Sequence, residues 1–267
     1  MPTTRLILTG LVAAATALSM SPAPPAAGAS QASATRPSPF QVTATASTSE
    51  LVLGKKVTFT GGLTPPAAGR TVVLRQKVGD GRWTTEDTAT LDGDGKYILA
   101  DRPTTMAPRQ YRVVKRANQY HSRGVSQVMP VTMYRWTHVS DLAPRDNSRM
   151  SQVPRVTIDA VDYPRSLKSS ASTATTAGFI DFNIDRRCIR LDARFGMGDA
   201  ADVDSSVKHA VLGDGVSLYS NTFGLQESER RRKLDLHGVF RLAFTWDSMA
   251  ESVPVAAVAS PRVLCTK

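Results

Sequence analysis

The chain has 267 residues and a formal net charge of +10. The excess is uneven: residues 35–133 hold 14 Lys/Arg against 7 Asp/Glu, residues 134–267 hold 18 against 16, and Arg5 completes the total. A basic first half favours acidic polymers or anionic cell-wall surfaces by long-range attraction, or serves solubility alone. With no recognition motif beside the charge and an export segment ahead of it, nucleic acid is excluded as the expected partner.

Arg5 precedes an apolar stretch, Leu6 to Leu18, broken only by Thr9, Gly10 and Thr16. Small-residue sites follow at Ala27-Gly28-Ala29 and Ala32-Ser33-Ala34, so residues 1–34 read as a signal peptide and cleavage region. The stretch is too short for a hydrocarbon core of roughly 30 Å, and Pro22, Pro24 and Pro25 follow it. The expectation is a secreted, extracellular protein with no transmembrane segment once the signal is removed. Residues 19–39, rich in Ala, Ser, Pro and Thr, read as a flexible linker.

From Phe40 the pattern is short alternating runs punctuated by Gly, Pro and Asp. Val42, Ala44 and Ala46 share one strand face, Val57 and Phe59 the next, and Val72 and Leu74 begin a third. Trp83–Thr90 and Tyr97–Leu99 flank Asp92-Gly93-Asp94-Gly95, and Tyr111, Val113 and Val125–Val131 complete a predicted seven-stranded Greek-key sandwich over 35–133. The Asp-Gly pairs are turn chemistry, not a calcium loop: the twelfth position counted from Asp92 is Pro103, where an EF-hand needs Glu. "GKKVTFTGGLTP", "GRTVVLRQKVGDGRW", "DGDGKYIL" and "RQYRVVKRAN" together resemble bacterial immunoglobulin-like modules of exported proteins. That resemblance implies a spacer or interaction domain.

In the second half Ile180, Phe182 and Ile184 face one way, with Asp181, Asn183 and Asp185 opposite. Ile189, Leu191, Ala193 and Phe195 line the same core, leaving Arg190, Asp192 and Arg194 outside. Phe240, Leu242, Phe244 and Trp246 repeat the pattern, and Gly213-Asp214-Gly215 marks a hairpin. Glu227 to Lys233 is the one candidate helical turn, and Arg230-Arg231-Arg232-Lys233 reads as a solvated loop, with binding of an anionic glycan as the alternative. The fold class is therefore all-β, with a second β-sandwich over 134–267. Cys188 and Cys265 permit one pairing, expected as a disulfide in an oxidising compartment; a metal pair or reactive thiol is the competing reading.

"YPRSLKSSAS", "FIDFNIDRRCIRLDARFGMGDAADVDSSVKHAVLGDGVSLYSN", "KLDLHGVFRLAFTW" and "VAAVASPRVLC", in that order, resemble NPCBM-like domains. The resemblance implies a galactose-binding-like jelly roll over 134–267 and carbohydrate binding, with an extracellular or cell-surface glycan as partner. Sugar sites need an aromatic platform and fixed polar groups. Trp136 and Trp246 read as packing, and His209 and His237 as structural histidines on strands. Tyr219 and Asn221, after the GDG hairpin, and Arg241 are the candidate ligand residues. Asp199, Asp202 and Asp204 in "GMGDAADVDSS" are a candidate calcium loop, against the alternative of a solvated turn; no other cofactor is expected. None of the four histidines falls in HExxH, and no G-x-S-x-G occurs, so no catalytic residue is assigned. The leading reading is a non-catalytic glycan-binding protein. A structural or protein-interaction scaffold stands behind it, and a glycan hydrolase third.

Overall fold

The computed structural model describes residues 37–170 and 177–266. The expected signal segment, 1–34, lies outside the described residues. Every extended element is a strand, as the period-two alternation and the turn residues between runs require. Among the described residues no helix is long and apolar enough to cross a membrane.

The first nine strands are β1 (Gln41–Ala46), β2 (Glu50–Val52), β3 (Val57–Thr64), β4 (Thr71–Val78), β5 (Thr84–Thr90), β6 (Lys96–Asp101), β7 (Arg109–Lys115), β8 (Gly124–Val125) and β9 (Met129–His138). One sheet runs β1-β3-β6 and the facing one β9-β7-β4-β5, with β2 added in parallel on β9. Between them Leu51, Val57, Phe59, Leu74, Leu99, Tyr111 and Met133 form one core. The Tyr111 hydroxyl, buried there, donates to Asp101 at 2.6 Å.

A short 3-10 turn, Val139–Asp141, leads into the second cluster: β10 (Asp146–Ser148), β11 (Met150–Ile158), β12 (Val161–Ser169), β13 (Ala177–Asn183), β14 (Cys188–Met197), β15 (Ser206–Gly213), β16 (Val216–Gly224), β17 (Ser228–Asp235), β18 (Arg241–Ser248) and β19 (Ala256–Cys265). A five-stranded sheet ordered β10-β13-β18-β15-β16 faces a second in which β14 lies between β17 and β19, with the β11–β12 hairpin continuing beyond β19. Ile180, Phe182, Leu242, Phe244 and Trp246 from one layer meet Leu191, Phe195, Met197, Val258 and Val263 from the other. The Trp246 indole N–H donates to the Arg149 carbonyl at 3.1 Å, and Gly178 lies against the indole so closely that a Cβ would come within 2.4 Å of Nε1. Cys188 and Cys265 are cross-strand partners on β14 and β19 and form a disulfide.

The sheet clusters are not joined by a linker. β9 pairs with β7 through Met129–Val131 and with β19 through Arg135–His138, so the expected division at 133/134 falls inside one strand. Val52, Tyr134, Trp136, Ile189 and Leu264 pack together across this junction. His237 bonds Asp235 at 2.6 Å and reaches Glu50 of β2 at 3.1 Å.

Four expectations need correction. Residues 227–233 hold no helical turn: Ser228–Asp235 is an edge strand paired with β14, so the Arg-rich run is not a loop either. Phe240 precedes β18 and is 36% exposed, outside the core that Leu242, Phe244 and Trp246 enter. His237 lies in the turn after β17 rather than on a strand. Asp181 and Asp192, expected on wet faces, are 4% and 5% exposed. Asp181 is buried because the Arg145 guanidinium covers it, with Nε 2.9 Å from Oδ1.

Candidate carbohydrate-binding cleft

The β11–β12 hairpin arches over the outer face of β19. Val156 and Ile158 bury against Ala257 and Ala259, with Val153 and Tyr163 packed alongside. At the tip Asp159 and Ala160 both adopt left-handed φ, 53° and 58°. The Asp199 carboxylate fixes that turn, accepting from the Asp159 and Ala160 backbone N–H groups at 2.7 and 2.9 Å. Asp199→Ala should therefore cost about 1 kcal/mol, read as a lowered urea midpoint, because two backbone donors lose a charged acceptor.

Beneath the hairpin lies a cleft of about 140 Å³, lined by Tyr163, Asp192, Arg194, Arg230, Ala259 and Ser260. Its floor is β14, whose neighbours both lose register beside Asp192. The irregularity on β17 coincides with Lys233 (φ 66°), and that on β19 with Ser260 (φ 44°). Such bulges bend a strand and re-aim its side chains. Arg262 lies directly across from Asp192, and Arg230, the partner of Arg194, lies diagonally. Arg230 donates through Nε and Nη2 to the two Asp192 oxygens at 3.0 and 2.8 Å. Arg262 donates through Nε and Nη2 to Asp192 Oδ2 at 3.1 and 2.7 Å. Hydrogen bonding from Arg230, and then from Arg262, holds the Asp192 carboxyl below the usual carboxylate range although burial opposes it.

The remaining polar groups are equally fixed. Arg194 donates to Ser228 Oγ at 2.9 Å and sets its guanidinium carbon 5.7 Å from the Tyr163 ring centroid. Ser260 Oγ donates to the Pro164 carbonyl at 2.7 Å, and Ser166 Oγ accepts from the Ser260 N–H at 3.1 Å. An aromatic side, a carboxylate and oriented guanidinium groups thus converge in a concavity on rigid strands, which is what recognition of a polyhydroxylated ring requires. Trp136 extends the row outward, packing on Tyr134 and Ile189 with the Arg262 guanidinium 4.8 Å over its ring.

Of the expected ligand residues, Tyr219 and Asn221 meet on one Glu229 oxygen, while Arg241 stands apart. Tyr219 is only 8% exposed; its ring packs 4.7 Å from that of Phe195, and Arg231 covers it at 4.9 Å. Burial, and then its hydrogen bond to Glu229, push the phenol up to about 12. Asn221 Nδ2 donates to the same Glu229 oxygen at 3.2 Å. Arg241 stands two strands away in the sheet, its N–H donating to Asp214 Oδ1 at 2.8 Å. The acidic loop is dispersed. Asp199 holds the hairpin tip, Asp202 Oδ2 accepts from the Val253 N–H at 2.9 Å, and Asp204 is exposed. Among the described residues no three His, Cys, Asp or Glu side chains gather as a metal site.

Sequence reasoning touched this cleft only at Arg230, within the basic run, because Tyr163, Asp192, Arg194, Arg230 and Ser260 come from four strands scattered over about 100 residues. The available signal was the Arg-Leu-Asp-Ala-Arg alternation of β14, with an Arg-rich strand to follow.

Residues 130–253 match the family model of the NPCBM/NEW2 domain. No curated protein matches the chain. A solved structure described as showing the promiscuous specificity of carbohydrate-binding modules from the beta-sandwich super family aligns at 8% identity and a TM-score of 0.35, covering 84% of this chain and 97% of its own. A carbohydrate-binding module in complex with beta-1,4-galactotriose aligns at 8% identity and a TM-score of 0.27, covering 49% of this chain and 88% of its own. The family match falls on the C-terminal sheet cluster, which is an NPCBM-like β-sandwich.

Proposed function

We propose that this is a secreted, non-catalytic glycan-binding protein in which the NPCBM-type C-terminal sandwich binds the glycan and the Ig-like N-terminal sheets serve as a spacer. The glycan is bound in the cleft beneath the β11–β12 hairpin. The observation that carries this reading is the convergence of Tyr163 with Asp192, Arg194 and Arg230 in one concave site whose polar groups are already oriented by internal hydrogen bonds. Preorganisation of that kind lowers the ordering cost of a weakly held ligand. The adjoining basic first half would add long-range attraction to an anionic surface.

The test is a glycan array probed with the mature chain, followed by titration calorimetry on the best oligosaccharide. Tyr163→Ala should weaken binding about tenfold, the loss expected from removing an aromatic contact in a cleft. Unchanged affinity in that variant moves the site elsewhere. A folded protein that binds nothing on the array supports the scaffold role instead.

A further inference from the structure

Building on the glycan reading, we infer that the cleft selects a sugar bearing an oxyanion, a uronate carboxylate or a sulfate ester. Arg194 and Arg230 line the cleft beside the single carboxylate of Asp192, and Arg262 bonds that carboxylate from β19, so three guanidinium groups stand against one carboxylate, a formal excess of two positive charges. Arg194 and Arg230 are direct cross-strand partners, and like charges so placed repel. The carboxylates of Asp162 and Glu229, on β12 and β17, are committed elsewhere. Asp162 on the hairpin pairs with Arg155 at 3.1 Å, and Glu229, on the opposite face of β17 from Arg230, pairs with Arg231 at 2.8 Å.

The guanidinium groups keep the means to bind an anion. Arg230 and Arg262 both spend Nε and Nη2 on Asp192, which leaves the Nη1 edge outside that pairing. Their side chains stay 39% and 40% exposed, so the charges remain open to a ligand. Asp192 therefore acts as the clamp that orients two donors, while the cleft as a whole stays cationic. A neutral sugar would leave the Arg194–Arg230 repulsion in place. A carboxylate or sulfate would relieve it and take paired N–H donors in the geometry guanidinium favours.

The experiment titrates the mature chain with three oligosaccharides of equal length: a neutral galactan fragment, its galacturonate counterpart and a sulfated galactan fragment. At about 50 mM salt at least one acidic oligomer should bind about tenfold more tightly than the neutral one, and the advantage should shrink severalfold at about 300 mM. Which acidic arm wins identifies carboxylate or sulfate. Arg194→Gln, confirmed folded by circular dichroism, should reduce the acidic-to-neutral ratio to about twofold or less, and Arg194→Lys should restore part of it. Equal binding of neutral and acidic oligomers overturns the inference while leaving the glycan reading intact. So does an acidic preference that is insensitive to salt or survives Arg194→Gln. Absence of binding to all three sinks both.

Discussion

Replacing Cys188 and Cys265 together by alanine should remove about 4 kcal/mol of stability and lower the melting temperature by on the order of 10 °C. The bridge closes a chain segment of 77 residues, and in the chain-entropy picture that closure restricts the unfolded ensemble far more than the native one. Natively the two residues already face each other across paired strands and are 3% exposed, so small apolar replacements leave the β14–β19 ladder in place. Urea unfolding of the oxidised protein and the double variant, under identical conditions, measures the difference. A loss below about 1 kcal/mol would show that the ladder alone confines this region in the unfolded chain.

Acidification should destabilise the C-terminal sandwich through His209. The ring is fully buried between Phe195 and Phe223. Its Nε2 lies 2.9 Å from the Gly196 carbonyl and therefore carries the donated proton, while buried Nδ1 has no partner among the described residues. Burial pushes the imidazole down to about 4, against an ordinary value of 6.5, although the bond to Gly196 opposes the shift. Well above pH 6.5 neither state takes the proton and the contribution is whole. As the pH falls the unfolded chain protonates first, and stability drains away until the folded-state value near 4 is passed, a loss of roughly 3 kcal/mol.

Glu86, pushed up to about 6 by burial and by Asp101, titrates in that window with the opposite sign, while His237, raised by Asp235 and then Glu50, acts above 6.5, where its contribution is lost as the pH rises. The quantity to read is therefore the difference in pH slope between wild type and His209→Leu from pH 7 to 4. That variant should flatten the His209 component even if it is less stable at neutral pH. Parallel slopes in the two proteins would refute the assignment.

Period-two alternation located Ile180, Phe182, Leu191, Phe195, Phe244 and Trp246 correctly, because side chains on a strand must alternate sides. It could not tell whether the second side stays wet. Asp181 and Asp192 are covered by arginines from distant segments, and nothing near them in sequence announces Arg145 or Arg262. Tyr219, expected to be exposed after the GDG hairpin, is buried. The register between β15 and β16 shifts between Val211 and Leu212, and one extra residue on a strand reverses which side the following residues face. β17 was missed because both its faces are polar. An edge strand guarded by arginines lacks the apolar alternation that marks a strand, and positive charge there discourages pairing with other chains.

The unbroken course of β9 bears on how the protein presents its cleft. A module on a flexible tether explores many orientations and gives up that freedom on every encounter. Here the same backbone that closes the first sheet is hydrogen-bonded into the second, so the cleft points in a direction set by the first cluster. On a crowded surface several such molecules anchored alike would aim their clefts alike, and their contacts with a long polymer would add without each losing orientational entropy afresh.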